Sequence, residues 1–320
     1  MSNNLVSIIM PCYNGAKLIS RCFDSVLKQT YKNIELIVVN DGSTDNSEEV
    51  ILSYRKRFHN EGMSLVYVYQ ENQGLGGAIN GGLKELTGDY ICWIDYDDFL
   101  YPESVEHRLN YLIKHPDIAV VTSDAYFLEP NKLESKSKKA SDGKPDLYNP
   151  WQFENHLRSQ AIFCSGCHMI RTEAFFDAVP SRQIYPARRG QNWQMLLPVY
   201  YKYKQAFIDE PLYAYILYDN SMSRTDVKKA DYEKRYQDHL DIIIHTLDSI
   251  DMSDKERKRY LRIYKQTYYR EYFYLGISFH DYSMIIKNIF NMLKVGALKA
   301  KDIQWMISLL LGKNKKTKDD

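Results

Sequence analysis

Three aspartates follow an apolar segment in the first third of the chain. The residues YICWIDYDD place Asp95, Asp97 and Asp98 directly after the apolar run 90–94. Like charges this close repel one another, and the repulsion is relieved by protonation, by solvent or by a bound cation. An acidic run taken alone is more typical of a solvated loop or of a helix N-cap. Whether the aspartates bind a cation or lie in a solvated loop depends on the elements that position them.

Composition and charge set the class of protein. The chain has 320 residues, of which 44% are hydrophobic, so it can bury a substantial core and is expected to fold. Its 42 basic and 41 acidic residues give a net charge of +1. A nearly neutral chain gives no reason to expect a nucleic-acid partner.

The N-terminus and the cysteines indicate a cytoplasmic protein. The opening residues MSNNLVSIIMPCYNG lack the pattern of an export signal, and no apolar run reaches the roughly 18 residues of a spanning helix. The five cysteines are set mostly among apolar neighbours, as reduced core thiols are. The segment CSGCH at 164–168 fits the short pattern for haem attachment, but that chemistry requires export, and a zinc site would need further ligands.

Apolar runs alternate with amphipathic segments along the first half of the chain. We predict strands at 6–10, 35–39, 65–69 and 90–94, and helices at 16–29, 47–57 and 78–86. This alternation is typical of an α/β fold with a Rossmann-like, mostly parallel sheet and helices on both faces.

Four polar loops follow the four predicted strands. They read PCYNG, NDGSTD, ENQGLGG and DYDD, and ligands of such sheets bind beyond the carboxyl ends of the strands. We therefore expect the loops to form one site. A dinucleotide fingerprint read from Gly74 would need a glycine where the chain has Ile79, and no GKS or GKT follows a glycine-rich loop. A Rossmann dehydrogenase and a P-loop protein are thereby excluded.

The order of these motifs resembles the family 2 glycosyltransferases of the A-type fold. The segments are SIIMPCYNG, IELIVVNDGSTD, NQGLGGAINGGL and GDYICWIDYDD, and the resemblance covers most of residues 5–225. It implies an enzyme that moves a sugar from a nucleotide-diphospho-sugar to a saccharide or lipid-linked glycan in bacterial surface-polysaccharide synthesis. The donor sugar, the base and the linkage are left open.

The resemblance also implies roles for the residues of the first three loops. Pro11, Tyr13 and Asn14 are expected to line the nucleotide, and Asp41 to hydrogen-bond the base. Asp41 also suits a turn, since aspartate favours turns. Gly74, in the third loop, is included among the residues predicted to bind the nucleotide-sugar.

The acidic loop is expected to hold a metal. By resemblance, Asp95 and Asp97 form the DxD pair that binds the ribose and a divalent cation, with Asp97 as the metal ligand. The leaving nucleotide diphosphate gains negative charge in the transition state, and Mg²⁺ or Mn²⁺ between phosphates and carboxylates stabilises that charge. The same cation would relieve the repulsion among the three aspartates.

The position of the expected catalytic base carries amides. Inverting members of the family commonly have an acidic pair before an apolar helix, and the matching residues here are Gln191 and Asn192. An amide can orient a hydroxyl but cannot accept its proton near neutral pH. Either His168 accepts it, or the donor's own phosphate does in a retaining reaction, or the protein is inactive. We favour His168 as base, although a histidine in a partly buried strand is the alternative.

Two further segments and one tryptophan are predicted near the site. The Lys- and Ser-rich run 129–146 is expected to be an exposed loop. The segment YILYDNSMSRT resembles a mobile segment that closes over the diphosphate, with Ser221, Ser223 and Arg224 as contacts. Trp193 either stacks on a sugar ring or fills the core.

The chain after residue 225 reads as an appended helical region. We predict helices at 229–250 and 253–275, and a division into a catalytic part, 1–225, and a helical part, 226–320. Residues 287–318 hold eight lysines and one aspartate among apolar stretches, which suits the surface of an anionic membrane. We expect peripheral association with the inner face of the cell membrane. The alternative is that these apolar faces pack on the catalytic part.

Two functions of different class remain. One is the metal-dependent glycosyltransferase. The other is a catalytically silent relative that binds a nucleotide-sugar, a glycan or a partner enzyme. The intact DYDD segment favours the enzyme, and the amides at 191 and 192 favour the silent relative.

Overall fold

The computed structural model describes residues 4–135, 138–219, 221 and 224–310, with side chains described through residue 305. Its sheet is built from eight strands. They are β1 (Val6–Cys12), β2 (Ile34–Asp41), β3 (Ser64–Gln70), β4 (Tyr90–Trp93), β5 (Phe99–Leu100), β6 (Ile118–Leu128), β7 (His168–Arg171) and β8 (Lys204–Ile216).

The strands lie in the order 3-2-1-4-7-6-8-5. The first four pair in parallel, β3 on β2, β2 on β1 and β1 on β4, and β6 pairs in parallel with β8. Strand β7 runs antiparallel to both β4 and β6, and β5 runs antiparallel to β8. Every residue of β1 and β2 is buried, as expected for parallel strands covered on both faces. The predicted α/β class and the four predicted strands are confirmed.

Seven helices cover the two faces of the sheet before residue 226. They are α1 (Ile19–Leu27), α2 (Ser47–Asn60), α3 (Gly74–Glu85), α4 (Ser104–Lys114), α5 (Phe153–Leu157), α6 (Thr172–Ala178) and α7 (Gln191–Lys202). Side chains of β1 alternate between two hydrophobic clusters, so Ile8 packs with α1, α2 and α4, whereas Ile9 packs with α3, α6 and α7. Each face of the sheet therefore has its own set of helices.

The C-terminal region contains α8 (Lys229–Ser249), α9 (Asp254–Ser278), α10 (Tyr282–Val295) and α11 (Ala300–Leu310). The two predicted helices are confirmed as α8 and α9. Ser253 caps α9, since its hydroxyl accepts a hydrogen bond from the Glu256 amide at 3.2 Å. Ile242 and Ile263 join the hydrophobic cluster that contains α3 and α7, so these helices share a core with one face of the sheet. Within the described ranges, none of the helices is long and apolar enough to cross a bilayer.

Arg108 holds the segment that precedes β7. The side chain is fully buried on α4, and its guanidinium donates hydrogen bonds to the carbonyl oxygens of Gly166 at 2.7 Å and His168 at 3.2 Å. It also donates to the hydroxyl of Ser104 at 2.8 Å. These bonds satisfy a buried charge and fix a single 3-10 turn, Ser165–Cys167, which approaches the carboxyl end of β4.

We predict that Arg108→Met lowers the free energy of unfolding by about 3 kcal/mol, because it leaves buried carbonyl groups without donors. Urea unfolding followed by circular dichroism measures the change. The control is Arg57→Met, whose side chain is 54% exposed, and its stability should change by less than about 0.5 kcal/mol. Equal stability of the two variants would contradict the role given to Arg108.

Candidate functional site

A cleft of about 830 Å³ lies at the carboxyl edge of the parallel strands. The four predicted loops meet there, as expected. Eight of the predicted site residues line it: Pro11, Tyr13, Asp41, Gly74, Asp95, Asp97, Gln191 and Asn192. Three other predicted residues, Asn14, His168 and Arg224, are not among its lining residues.

The first two loops are joined by hydrogen bonds. Tyr13 is 47% exposed and faces the cleft. Asn14 takes a left-handed backbone conformation at φ +52°, and its side-chain oxygen accepts a hydrogen bond from the Thr44 amide at 2.8 Å. The backbone amide of Asn14 donates to the Ser43 hydroxyl at 2.9 Å. Asn14 therefore braces the loops behind Tyr13 instead of lining the cleft.

Asp41 is the last residue of β2, and one of its two carboxylate oxygens is hydrogen-bonded within the protein. It is 4% exposed, and its Oδ1 accepts hydrogen bonds from Gln70 Nε2 at 2.7 Å and from the Gln73 amide at 2.9 Å. Both bonds go to Oδ1. This leaves Oδ2 as the atom suited to a ligand's donor group.

The glycines at the start of α3 are required by a neighbouring loop. The Gly76 amide donates to the Ala187 carbonyl at 2.8 Å, and a Cβ at Gly76 would lie 2.6 Å from the Tyr185 oxygen. Gly74 has φ +75°, a conformation that glycine adopts without strain. The glycine-rich segment therefore serves the packing of the loop 185–190 over α3.

Asp95 and Asp97 follow β4 side by side. Ser165 donates a hydrogen bond to Asp95 Oδ2 at 2.8 Å. Burial, together with the charge of Asp97, raises the pKa of the Asp95 carboxyl to about 6. Burial also raises the pKa of Asp97, although the guanidinium of Arg21 opposes this shift. Both carboxylates are therefore held in a setting that disfavours their charged forms.

Asp98 is a core residue. It is 2% exposed, and its two oxygens accept hydrogen bonds from the Tyr213 hydroxyl at 2.5 Å and the Ile216 amide at 2.7 Å. It does not line the cleft. The expectation of three carboxylates around one cation is thus corrected to two.

The two remaining carboxylates fit a cation that arrives with a phosphate ligand. No group of three His, Cys, Asp or Glu side chains in the described part of the chain could hold a metal ion. Mg²⁺, however, is usually bound by one or two carboxylates, substrate phosphates and water. Asp97, with Asp95 beside it, offers the one or two carboxylates that such a partial site would need.

The five cysteines are free and buried, as predicted.

The amides at 191 and 192 begin α7, and they differ in their contacts. Asn192 donates to the Phe163 carbonyl, and its Oδ1 accepts a hydrogen bond from Trp93 Nε1 at 2.7 Å. Its amide is therefore occupied by the protein. Gln191 lines the cleft beside it and is 8% exposed. Gly190, which precedes the helix, has φ +77°.

The structure corrects the prediction that His168 faces the acceptor. The side chain is fully buried, stacks on Trp93 with ring centroids 5.6 Å apart, and approaches the Thr122 hydroxyl at 3.1 Å through Nδ1. Burial and the neighbouring His156 and Arg108 hold its pKa well below the usual value. His168 is the buried strand histidine that was the alternative interpretation.

The segment predicted as a lid is only partly at the cleft. Ser221 lines the cleft, whereas Arg224 does not and lies 3.8 Å from Asp219. Ser223 is outside the described residues. Trp193 is 9% exposed and packs edge-to-face on Phe163 at 5.4 Å, so it fills the core.

Several lining residues were not predicted from the sequence. They are mainly cations and aromatic residues: Arg188, Arg189, Tyr215, Tyr218, Arg235 and His239. The adjacent arginines of RRGQNW were a signal, because they directly precede the expected base position. Arg235 and His239 come from α8 and carried no comparable signal. Arg21, on α1, donates to the Asp97 carbonyl and to the Tyr218 hydroxyl.

The fold is that of the A-type glycosyltransferases. Over 91% of this chain and 81% of the other, the structure is similar to Staphylococcus aureus TarS in complex with UDP-GlcNAc, with a TM-score of 0.65 and 17% identity. It is also similar to a Pyrobaculum calidifontis mannosyltransferase in complex with GDP-Man and Mn²⁺, with a TM-score of 0.57 and 15% identity over 97% of this chain and 81% of the other. At these identities the likeness establishes the fold alone.

The chain belongs to glycosyl transferase family 2. The sequence model of that family matches residues 7–177, more than half of the chain. An uncharacterized glycosyltransferase of Rickettsia typhi is 43% identical over 145 residues, which are 42% of this chain and 43% of the relative. The chain thus spans less than half the length of that relative.

We predict that Asp95→Asn stabilises the metal-free protein at pH 8 by about 1–2 kcal/mol. The folded-state pKa of Asp95, about 6, lies above the ordinary value of 3.8, so the stability contributed by the neutral carboxyl is lost as the pH rises through about 6. Asparagine stays neutral and keeps this contribution. Urea unfolding in a chelator should show the gain at pH 8 and little of it near pH 4.

The exposed Asp251 provides the control. Asp251→Asn should change the free energy of unfolding by less than about 0.5 kcal/mol at either pH. A loss of stability in Asp95→Asn at pH 8 would show that the carboxylate is not under strain in the free protein.

Proposed function

We propose that this protein transfers a sugar from a nucleotide-diphospho-sugar to a saccharide or lipid-linked glycan acceptor, with Mg²⁺ or Mn²⁺ as cofactor. The observation that carries the proposal is the meeting of Asp41, Asp95 and Asp97 in one cleft at the carboxyl edge of the parallel strands. Family membership supports the reaction class, and the partial metal site supports the cofactor.

The donor is oriented by the first four loops. Pro11 and Tyr13 supply an apolar and aromatic surface for the base, and Asp41 Oδ2 accepts a hydrogen bond from it. Asp97, supported by Asp95, would hold the divalent cation, and the cation when bound supplies positive charge to the diphosphate. Arg21, fixed between the Asp97 carbonyl and Tyr218, adds a positive charge of the chain itself beside the same loop.

The acceptor hydroxyl is oriented by Gln191, whose side chain lines the cleft. Its proton passes either to the donor's own phosphate or to His239, the one histidine of the described chain that lines the cleft. Burial and the charges of Arg189 and Arg235 lower the pKa of His239 to about 4, so its imidazole is neutral at pH 7. The first route retains the anomeric configuration and the second inverts it, so the product anomer distinguishes them.

A catalytically silent, nucleotide-sugar-binding protein is the second candidate. The observation in its favour is that Asn192 stands at the expected base position with both polar atoms bonded to the protein. Donor binding without turnover, for any donor and acceptor offered, would select this alternative.

We predict that Asp97→Asn weakens the metal-dependent binding of the nucleotide by roughly 10- to 100-fold, since it removes one carboxylate ligand. Calorimetry with UDP or GDP and Mn²⁺ measures the affinity, after a thermal-shift screen has selected the nucleotide. Glu71→Gln, an exposed residue outside the cleft, is the control and should bind like the wild type. Unchanged affinity in Asp97→Asn would remove the proposed metal ligand.

The helix α10 supports a role at an anionic membrane surface, as in surface-polysaccharide synthesis. Four side chains one turn apart form an exposed apolar stripe: Tyr282, Ile286, Phe290 and Leu293, which are 55%, 55%, 60% and 54% exposed. The nearby lysines 287, 294, 299 and 301 are exposed as well. An apolar stripe flanked by lysines matches an anionic lipid surface in both polarity and charge. We propose that this stripe lies on the membrane.

We predict that the double variant Ile286→Asp, Phe290→Asp lowers binding to phosphatidylserine vesicles by at least roughly tenfold, because it replaces apolar contacts with charges that anionic lipid repels. Vesicle sedimentation measures binding, with neutral vesicles as the reference. Ile113→Asp, at a side chain 46% exposed on α4, is the matched control and should sediment like the wild type. Equal sedimentation of all three proteins would refute the membrane proposal.

A further inference from the structure

One wall of the cleft is formed by arginines that the donor site does not use. Arg188 and Arg189 lie in the loop before α7, and Arg235 lies on α8. All three side chains line the cleft together with Gln191. Three guanidinium groups beside the residue that orients the acceptor require a chemical explanation.

The arginines are supported from outside the cleft. Arg235 Nε lies 2.5 Å from Asp226 Oδ2, and Arg189 Nε lies 3.9 Å from Asp238 Oδ2. Neither aspartate lines the cleft. Arg188 is exposed and makes no hydrogen bond or ion pair with the described residues. The carboxylates therefore orient two of the guanidinium groups and leave positive charge facing the cleft.

The two aspartates offset this positive charge only in part, since they stand beside three arginines. Burial and the proximity of Arg235 lower the pKa of Arg189, although Asp238 and Asp226 oppose this shift, and Arg189 and Arg235 together with burial lower the pKa of His239. Like charges that depress one another's protonation are stabilised when an anion binds between them. Guanidinium groups are also well suited to phosphate, because their paired N–H donors match its oxygen atoms.

The arginines and the metal ligand reach one cleft from different elements. Asp97 follows β4, and its carbonyl accepts a hydrogen bond from Arg21 on α1. Arg188 and Arg189 directly precede α7, two to three residues before Gln191, and Arg235 is on α8. The donor diphosphate is expected at Asp97. The arginines adjoin Gln191, the residue proposed to orient the acceptor, and they are therefore available to a second anionic group.

We propose that the arginine wall binds a phosphate group of the acceptor, so that the natural acceptor is a phosphorylated or phosphodiester-linked glycan rather than a neutral one. This inference rests on the proposed glycosyltransferase function and specifies its acceptor. The phosphate accepts hydrogen bonds from Arg188 and Arg189, and Arg235 adds charge from α8. The neighbouring hydroxyl of the same acceptor then lies at Gln191.

The test uses the full chain with Mg²⁺ and a saturating amount of UDP or GDP, whichever nucleotide binds. Glycerol 3-phosphate, inorganic phosphate and neutral glycerol are titrated by calorimetry. Both phosphates should bind the nucleotide complex and glycerol should not. Arg189→Gln and Arg188→Gln should each weaken phosphate binding by about tenfold and leave nucleotide affinity unchanged. Arg182→Gln is the control, since Arg182 lies over Phe176 at 4.3 Å and does not line the cleft.

Two results would overturn the proposal. Phosphate that binds the free protein but is displaced by the nucleotide, with both arginine variants weakening nucleotide affinity, would assign the arginines to the donor diphosphate. Absence of phosphate binding to the wild type would remove the site. The exposed Arg188 keeps the test decisive if Arg189→Gln does not fold. If neither nucleotide binds, the proposed function fails, and the phosphate titration of the free protein still tests the arginine wall.

Discussion

The interaction on which the cleft depends is the repulsion between Asp95 and Asp97, two partly buried carboxylates. Holding them close together costs free energy. Burial favours the neutral carboxyl at both residues, and at Asp95 the charge of Asp97 adds to this effect. The surrounding structure keeps them in place. Ser165 donates to Asp95, Arg21 holds the Asp97 backbone, and Arg108 fixes the turn that carries Ser165. A divalent cation with a diphosphate ligand would relieve this repulsion, and for that reason we propose that the donor binds there.

The parallel sheet determines how the two sides of the cleft differ. Loops after β1, β2 and β4 converge at one edge because parallel strands end together, and the helices on the two faces supply separate walls. The face with α1 provides Arg21 behind the acidic loop, whereas the face with α7 and α8 provides Gln191 and the arginines. Under the proposed function, the carboxylates would serve the donor and the arginines the acceptor. The C-terminal helices contribute directly to the second wall, since Arg235 and His239 are on α8.

The sequence was sufficient for much of the fold and for the meeting of three predicted aspartates in one cleft. Apolar runs that end in polar loops identified the four parallel strands, because a buried parallel strand is apolar on both faces. Their common edge brought Asp41, Asp95 and Asp97 together as expected. Which of the other residues belong to the site depends on contacts between residues distant in sequence. Asp98 is adjacent to Asp97, and only its bonds to Tyr213 and Ile216 show that it belongs to the core.

The acceptor side was less accessible to sequence reasoning for the same reason. His168 is buried because the rings of Trp93 and His156 pack on it from other elements. The residues next to His168 in the sequence do not indicate these contacts. The arginine wall needs both the loop before α7 and a helix 40 residues later, and neither has a hydrophobic period that points to the cleft. Site residues can thus be predicted from the sequence when they follow the strands of one sheet edge. They are much harder to predict when separate helices bring them together.

The most direct test of the account is anomalous diffraction from crystals of the protein grown with Mn²⁺ and the nucleotide that binds. We predict a manganese peak about 2 Å from an Asp97 carboxylate oxygen, with the diphosphate completing the coordination of the ion. A nucleotide in the cleft without manganese at Asp97, or manganese bound at another part of the chain, would contradict it.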